Sequence, residues 1–158
     1  QHMYCIDNFL SDIDYQMVID YCYTAPYHFG ERDNPHHPPT GMVSTIEEEW
    51  VKNLFQSEIN SQVSEVEGKE PYRMYINCFA PGENPYYHTD GDEGITCLFY
   101  VNPNVEIDDG GSTQLILDRE SVNLLPIPNR LCVFDANIIH RATSFRDKHR
   151  FTIAVKYN

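Results

Sequence analysis

From Tyr72 to Asn158 the sequence is cut into short runs rich in β-branched and aromatic residues by clusters of Gly, Pro, Asn and Asp, and few folds accept that texture. Strands are predicted at 72–79, 85–89, 95–102, 112–118, 130–135, 138–145 and 150–157. The last is the clearest. Phe151, Ile153, Val155 and Tyr157 alternate with Arg150, Thr152, Ala154 and Lys156, so each set takes one face of a strand. Residues 1–71 read differently. Ser11, with Asp14 three residues on, is a helix cap, and Ile13, Met17, Val18 and Tyr21 share a face of the predicted helix. A second helix is predicted from Thr45: Thr45 and Glu48 make a capping-box pattern, Glu47, Glu48 and Glu49 suit the positive helix start, and Ile46, Trp50, Leu54 and Phe55 form an apolar stripe. Between the helices, Phe29 to Gly41 carries Pro35, Pro38 and Pro39 around His36 and His37. Proline at that density excludes helix and central strand, which leaves an exposed loop suited to cover a binding site. The predicted class is α+β, mainly β. One domain spans 1–158, with helical support and loop over 1–71 and a sandwich or barrel over 72–158.

Composition closes off several functions. A chain of 158 residues buries roughly 68–70% of its unfolded surface and needs no disulfide or metal to fold. Its five cysteines are odd in number and contain no Cys-x-x-Cys, so neither a disulfide framework nor a structural zinc site is expected. Cys78, Cys97 and Cys132 sit in apolar runs as small hydrophobes, and a reducing, cytoplasmic compartment is expected. Gln1, His2 and Met3 read as an appended leader with the native start at Met3. No apolar run approaches the roughly 20 residues that span a bilayer, so no membrane partner is expected. Net charge is −13, which repels phosphate backbones and disfavours nucleic acid. Basic residues are nevertheless uneven: Arg141, Arg146, Lys148, Arg150 and Lys156 crowd the C-terminus, opposed by Asp147 alone. The preferred reading gives Arg150 to a ligand and the others to a solvated hairpin.

Residues 88–90 read His-Thr-Asp. In an extended segment positions i and i+2 share a face, so His88 and Asp90 can reach one ion. His140, fifty residues on and in a different strand, supplies a third donor. Two histidines and a carboxylate form the facial triad of non-haem iron(II), although zinc accepts the same donors. Taken singly, each histidine is equally well a turn or strand-end residue. Arg150 adds weight: if its face is interior, the guanidinium needs an anionic partner. A wet strand end with Arg150 paired to Asp147 is the alternative.

The stretch from about Arg73 to Tyr157 resembles the iron(II)- and 2-oxoglutarate-dependent oxygenases, closest to their prolyl 4-hydroxylase-like branch. The matching pieces are NCFAPG (77–82), HTD (88–90), ITCLFYVN (95–102), GGSTQL (110–115), and His140 followed by RFTIAVKY (150–157). The resemblance implies a double-stranded β-helix, a jelly-roll or cupin-like core, with supporting N-terminal helices. It implies that His88, Asp90 and His140 are the iron ligands and catalytic centre. Arg150 would hold the distal carboxylate of 2-oxoglutarate, assisted by Tyr100, while Leu98, Thr113, Asn77 and Phe79 would line the co-substrate pocket. Many relatives have tyrosine where this chain has Phe79, with Asn77 and Tyr75 nearby to compensate. Dioxygen would be consumed, with ascorbate a candidate accessory reductant. The activity implied is hydroxylation of a C–H bond, prolyl hydroxylase-like, on a peptide, protein or amino acid. Asp90 itself points to hydroxylation, since halogenating relatives have a small residue there. NCFAPG is also similar to the nucleic-acid demethylase branch. A non-catalytic metal-binding jelly roll is a further alternative, and a hydrolytic zinc site lacks a motif such as H-E-x-x-H. Trp50, Tyr75, Tyr86 and Tyr87 are weak candidates for the walls of a substrate groove. Oligomeric state is not legible.

Overall fold

The alternation at the C-terminus divides the molecule as expected. The computed structural model describes residues 2–158; Gln1, at the head of the expected leader, lies outside them. Strand β10 (Arg150–Tyr157) runs between β4 (Arg73–Phe79) and β5 (Ile95–Tyr100), antiparallel to both. The major sheet continues through β8 (Leu131–Asp135) to β1 (Met3–Ile6) on one side. On the other it continues through β3 (Met42–Thr45) to β2 (His28–Phe29). A three-stranded minor sheet places β6 (Thr113–Leu117) between β7 (Glu120–Leu124) and β9 (His140–Ala142). Helices α1 (Asp12–Thr24) and α2 (Glu49–Gln62) pack on the outer face of the major sheet, where Ile153, Val155 and Tyr157 meet Val18, Cys22, Phe55 and Ile59 in one apolar cluster. A second cluster, with Leu98, Tyr100, Cys132 and Phe134 from the major sheet and Leu115 and Leu124 from the minor one, joins the two sheets. This mainly β architecture with two helices is the expected double-stranded β-helix.

Several local expectations are corrected. Segment 85–89 is not a strand; pairing shrinks to a single bridge, His88 to His140, because Pro85 and the flanking turns interrupt the ladder. Strand β7 was not predicted. It follows a two-residue turn in which Asp118 and Arg119 both have positive φ, the type I′ geometry that usually announces itself with Asn-Gly. Thr45 ends β3 and does not cap a helix; α2 starts at Glu49 behind Glu48, with no side-chain cap, because Val43 and Ser44 are buried against β4. On α1 the predicted face is rotated. Ile13 is 76% exposed, while Val18, Ile19 and Cys22 are buried and the Tyr15 hydroxyl donates to the Val101 carbonyl at 2.8 Å. Val18, Tyr21 packed at the cluster's edge and the Ser11 cap, which accepts from the Asp14 amide, stand as read. His2 and Met3, set aside as leader, join the sheet: β1 begins at Met3, and the Asp135 amide donates to the His2 carbonyl.

Asn129 ties the N-terminal segment to the turn before β8. Its φ is +65°, its side-chain oxygen accepts from the Leu10 amide at 3.0 Å, and its side-chain nitrogen donates to the Leu10 carbonyl at 2.8 Å. Asn129→Ala orphans both buried Leu10 groups and is expected to cost about 2–4 kcal/mol in urea unfolding, whereas a loss of a few tenths would show that this tie is unimportant.

Candidate functional site

The inward face of the major sheet is set by strand register. Arg150 lies opposite Phe79, Thr152 opposite Asn77, Ala154 opposite Tyr75 and Lys156 opposite Arg73 on β4. On the other side Thr152 faces Tyr100, Ala154 faces Leu98 and Lys156 faces Thr96 on β5. All of these residues except Tyr100 floor a cavity of about 230 Å³ whose far wall is His88, Asp90, Thr113 and His140.

Main-chain bonds place the His-x-Asp segment. The His88 and His140 amides donate to each other's carbonyls at 3.0 and 2.9 Å, and the Asp90 amide donates to the Ala136 carbonyl at 2.9 Å. The Nδ1 atoms of His88 and His140 lie 2.9 and 2.8 Å from the carbonyls of Tyr86 and Ile138. A carbonyl only accepts, so each Nδ1 carries a proton and each ring turns its Nε2 inward, the nitrogen left to meet Asp90 or a metal ion. His88 Nε2 is 3.5 Å from Asp90 Oδ1 and His140 Nε2 is 3.4 Å from Asp90 Oδ2. The three side chains offer donor atoms all within 4.8 Å of one another, a facial-triad-like group able to hold one metal ion. Thr96 donates to Asp90 Oδ2 at 2.7 Å, and Lys156 Nζ lies 3.3 Å from Oδ1. Burial opposes ionisation of Asp90, but the hydrogen bonds of His140 and His88 and the charge of Lys156 win and hold its carboxyl far below the usual range. His88 shows the converse: burial disfavours its charge, and the bonds to Asp90 and the Tyr86 carbonyl raise its pKa.

At the opposite end of the cavity Arg150 is 2% exposed. Its Nε donates to the Gly111 carbonyl and its Nη2 to Thr113 Oγ1, both at 2.8 Å. The Tyr100 hydroxyl meets the same Thr113 oxygen at 2.6 Å, and the guanidinium stands over the Tyr100 ring. No carboxylate pairs with Arg150 among the described residues, so the wet strand end with Asp147 is not what forms. Beside it the buried Thr152 Oγ1 has no hydrogen-bond partner. Burial pushes the guanidinium pKa down, the mark of a charge without a counter-ion. Gly111 has a φ of +79°, and a Cβ there would strike the Phe145 ring, so only glycine brings this carbonyl to Arg150.

Leu98, Thr113, Asn77 and Phe79 line the cavity, while Tyr100 backs it through Thr113. The proline-rich loop reaches it too. Glu31, Arg32 and Asp33 line its mouth, Glu31 pairs with Arg73 at 2.6 Å, and Asp33 accepts from the Tyr86 amide. His37 stacks on Tyr86 with ring centroids 4.0 Å apart, and His36 is exposed; neither joins the triad. Of the proposed aromatic walls only Tyr75 lines the cavity, between Arg73 and Lys156. Tyr87 bonds Gln114 beneath Arg141, and Trp50 packs edge-on to Tyr21. The C-terminal basic residues disperse: Arg141 binds Gln114, Arg146 the Asp108 carbonyl and Lys148 Asp109. The sequence reading missed Lys156, Thr152 and Thr96 as cavity residues. The alternation places Lys156 and Thr152 on the face of Arg150, whereas Thr96 needs the β5 register.

No family model and no curated protein matches the sequence. Solved structures match its fold over nearly the whole chain. A prolyl-4-hydroxylase from Pseudomonas putida is 15% identical with a TM-score of 0.78, covering 99% of this chain and 92% of its own. A prolyl hydroxylase from Trichoplax adhaerens, in complex with a hypoxia inducible factor peptide fragment, is 21% identical with a TM-score of 0.78, covering 98% and 82%. An oxidoreductase of the 2-oxoglutarate–iron(II) oxygenase family from Burkholderia pseudomallei is 12% identical with a TM-score of 0.80, covering 99% and 84%. The chain has the 2-oxoglutarate–iron(II) oxygenase fold.

Thr113→Val removes the oxygen that serves both Arg150 and Tyr100. A loss of about 1–3 kcal/mol is expected in urea unfolding, with Thr113→Ser retaining most of the stability; equal losses in both variants would assign the effect to packing.

Proposed function

We propose that this chain is an iron(II)- and 2-oxoglutarate-dependent dioxygenase that hydroxylates a C–H bond of a peptide or amino acid, with proline the first candidate. One observation carries the reading: a single cavity has a facial-triad-like donor set at one end and, at the other, a buried guanidinium with no carboxylate partner among the described residues. A dicarboxylate that chelates metal with one end and meets Arg150 with the other satisfies both. Thr152, the unpartnered hydroxyl, adds a donor beside Arg150. His88, Asp90 and His140 would hold the iron, each histidine fixed in tautomer by a main-chain carbonyl. Bound iron and 2-oxoglutarate would supply the oxidising chemistry, oxidative decarboxylation coupled to hydroxylation, with dioxygen as oxidant. Tyr100 and Thr113 hold the guanidinium in place, while Leu98, Phe79 and Asn77 shape the channel between its ends.

Substrate would enter at the mouth formed by Glu31, Arg32, Asp33, Arg73 and Lys156. That rim carries both signs of charge, which suits a peptide or an amino acid better than a polyanion. The net charge of −13, with Arg73, Arg130 and Lys148 already paired to carboxylates, speaks against the nucleic-acid demethylase reading. A non-catalytic metal module would have no use for the unpaired Arg150. The peptide complex of the Trichoplax adhaerens enzyme supports proline-containing peptides as the first screen. No described helix is long and apolar enough to cross a membrane.

Anaerobic addition of iron(II) and then 2-oxoglutarate is expected to produce a visible charge-transfer band that needs both additions and weakens in Asp90→Ala and Arg150→Ala. No band, with zinc tightly retained, would reject the proposal. Loss of a charge-assisted contact worth about 1.5–3 kcal/mol should raise the 2-oxoglutarate requirement of Arg150→Ala roughly tenfold to a hundredfold, and an unchanged requirement would remove Arg150 from the role given it.

A further inference from the structure

Strand β1 is a four-residue edge strand, and its one cysteine stands directly opposite a cysteine of β8. The register pairs Met3 with Phe134, Tyr4 with Val133, Cys5 with Cys132 and Ile6 with Leu131. One step before Met3, the Asp135 amide donates to the carbonyl of His2, its opposite number, which marks that position as a hydrogen-bonded pair. Hydrogen-bonded and non-hydrogen-bonded pairs alternate along an antiparallel ladder. Counting on from His2 therefore makes Cys5–Cys132 a non-hydrogen-bonded pair, whose Cα atoms stand about 4.5 Å apart with side chains drawn together. That separation falls inside the roughly 4.4–6.8 Å window of disulfides. The two sulfurs are 2.6 Å apart, in hydrogen-bonding contact with either thiol able to donate.

We propose that Cys5 and Cys132 form a redox-active pair that closes into a cross-strand disulfide and bolts β1 onto β8. The link does not depend on the function proposed above. Cys5 is the half-exposed partner, open to an oxidant at the sheet edge, and Cys132 is buried behind it. The hydrogen bond from Cys132, with the nearby Arg130 charge, lowers the Cys5 thiol pKa against the opposing effect of burial, so Cys5 is the attacking sulfur. The other thiols are poor competitors: Cys22, Cys78 and Cys97 are buried, and burial pushes Cys78 up to about 11 and Cys97 up to about 12.

A low-molecular-weight disulfide such as glutathione disulfide supplies the oxidising equivalents. The Cys5 thiolate attacks one glutathione sulfur, forms a mixed disulfide and releases one glutathione thiolate. Cys132 then loses its proton to solvent, displaces the second glutathione and closes the Cys5–Cys132 bond. Two protein thiols are oxidised by two electrons, and one glutathione disulfide becomes two glutathiones. Closure has a structural consequence. Cys132 belongs to the apolar cluster with Tyr100 and Leu98 behind the Arg150 end of the cavity, and Cys5 packs against that cluster. An edge strand held by four residues frays readily, and the bond would hold it down over that floor.

The full-length protein is equilibrated with glutathione couples of increasing oxidation, alkylated and mapped without reduction, with amide exchange followed on the reduced and oxidised forms. The expected result is a fall from five alkylatable thiols to three, a peptide linked through Cys5 and Cys132, and slower exchange of the β1 amides on oxidation. Cys5→Ser should abolish all three changes; it is preferred to substitution of buried Cys132, which risks the fold. Five free thiols at the most oxidising ratio, glutathione remaining on Cys5, a bond between other cysteines, or Cys5-linked dimers on a non-reducing gel would each overturn the proposal.

Discussion

A guanidinium buried without a carboxylate among the described residues is the constraint around which this molecule is arranged. Removing such a charge from water costs several kcal/mol unless hydrogen bonds and a counter-ion replace the solvent. The protein supplies only part of that replacement. Two neutral acceptors, the Gly111 carbonyl and Thr113 Oγ1, take two of the donors of Arg150, and Tyr100 fixes the second acceptor. Each support comes from a different element: the loop before β6, the first residue of β6 and the last residue of β5. The minor sheet thus docks on the major sheet through polar bonds to Arg150 as well as through the apolar cluster around Leu115. Arg150 itself lines the cavity, as does Thr152, whose buried hydroxyl has no hydrogen-bond partner. An arginine set only to stabilise the fold would be expected to be paired, which is the ground for the role proposed for this one.

The triad is assembled by a different device. His88 and His140 are fixed by one isolated bridge, with no continuous strand pair beneath it. The bridge nevertheless sets both main chains in register, and the carbonyls two residues before each histidine orient its ring. Asp90 is held from the major sheet by Thr96 and Lys156 and from the loop by the Ala136 carbonyl. The three donors therefore converge because both sheets and the connecting loop converge, so their spacing depends on the whole sandwich.

This division explains what was legible in the sequence. The alternation of 150–157 placed Arg150 and Lys156 on the face opposite Ile153 and Val155, and the buried clusters follow that split. His-Thr-Asp was readable as a pair because two-residue spacing is local. Placing His140 beside it required the resemblance, since nothing local relates residues fifty apart. The failures are also physical. Thr45 with Glu48 has the chemistry of a helix cap, yet pairing with β4 claims Thr45 for a strand. Asp118-Arg119 makes a turn that its residue types do not advertise. On α1 two apolar stripes overlap, and only the sheet beneath selects Val18, Ile19 and Cys22 over Ile13 and Met17. Cys5 and Cys132 lie 127 residues apart, so their meeting is a fact of register alone.

The polarity of the cavity follows from these placements. A chain of net charge −13 repels anions at long range, yet the interior it encloses presents Arg150 at one end and Lys156 near the other. The two differ in what they face. Lys156 lies against Asp90 and over the Tyr75 ring, so its charge helps keep the carboxylate of the facial-triad-like group ionised. Metal ligands must be deprotonated to bind, and a carboxylate this buried would otherwise favour its neutral form. Arg150 has no such duty. The acidic exterior and the cationic interior are therefore compatible: the first acts over distances that salt screens within about 8–10 Å, and the second acts only on a ligand already inside.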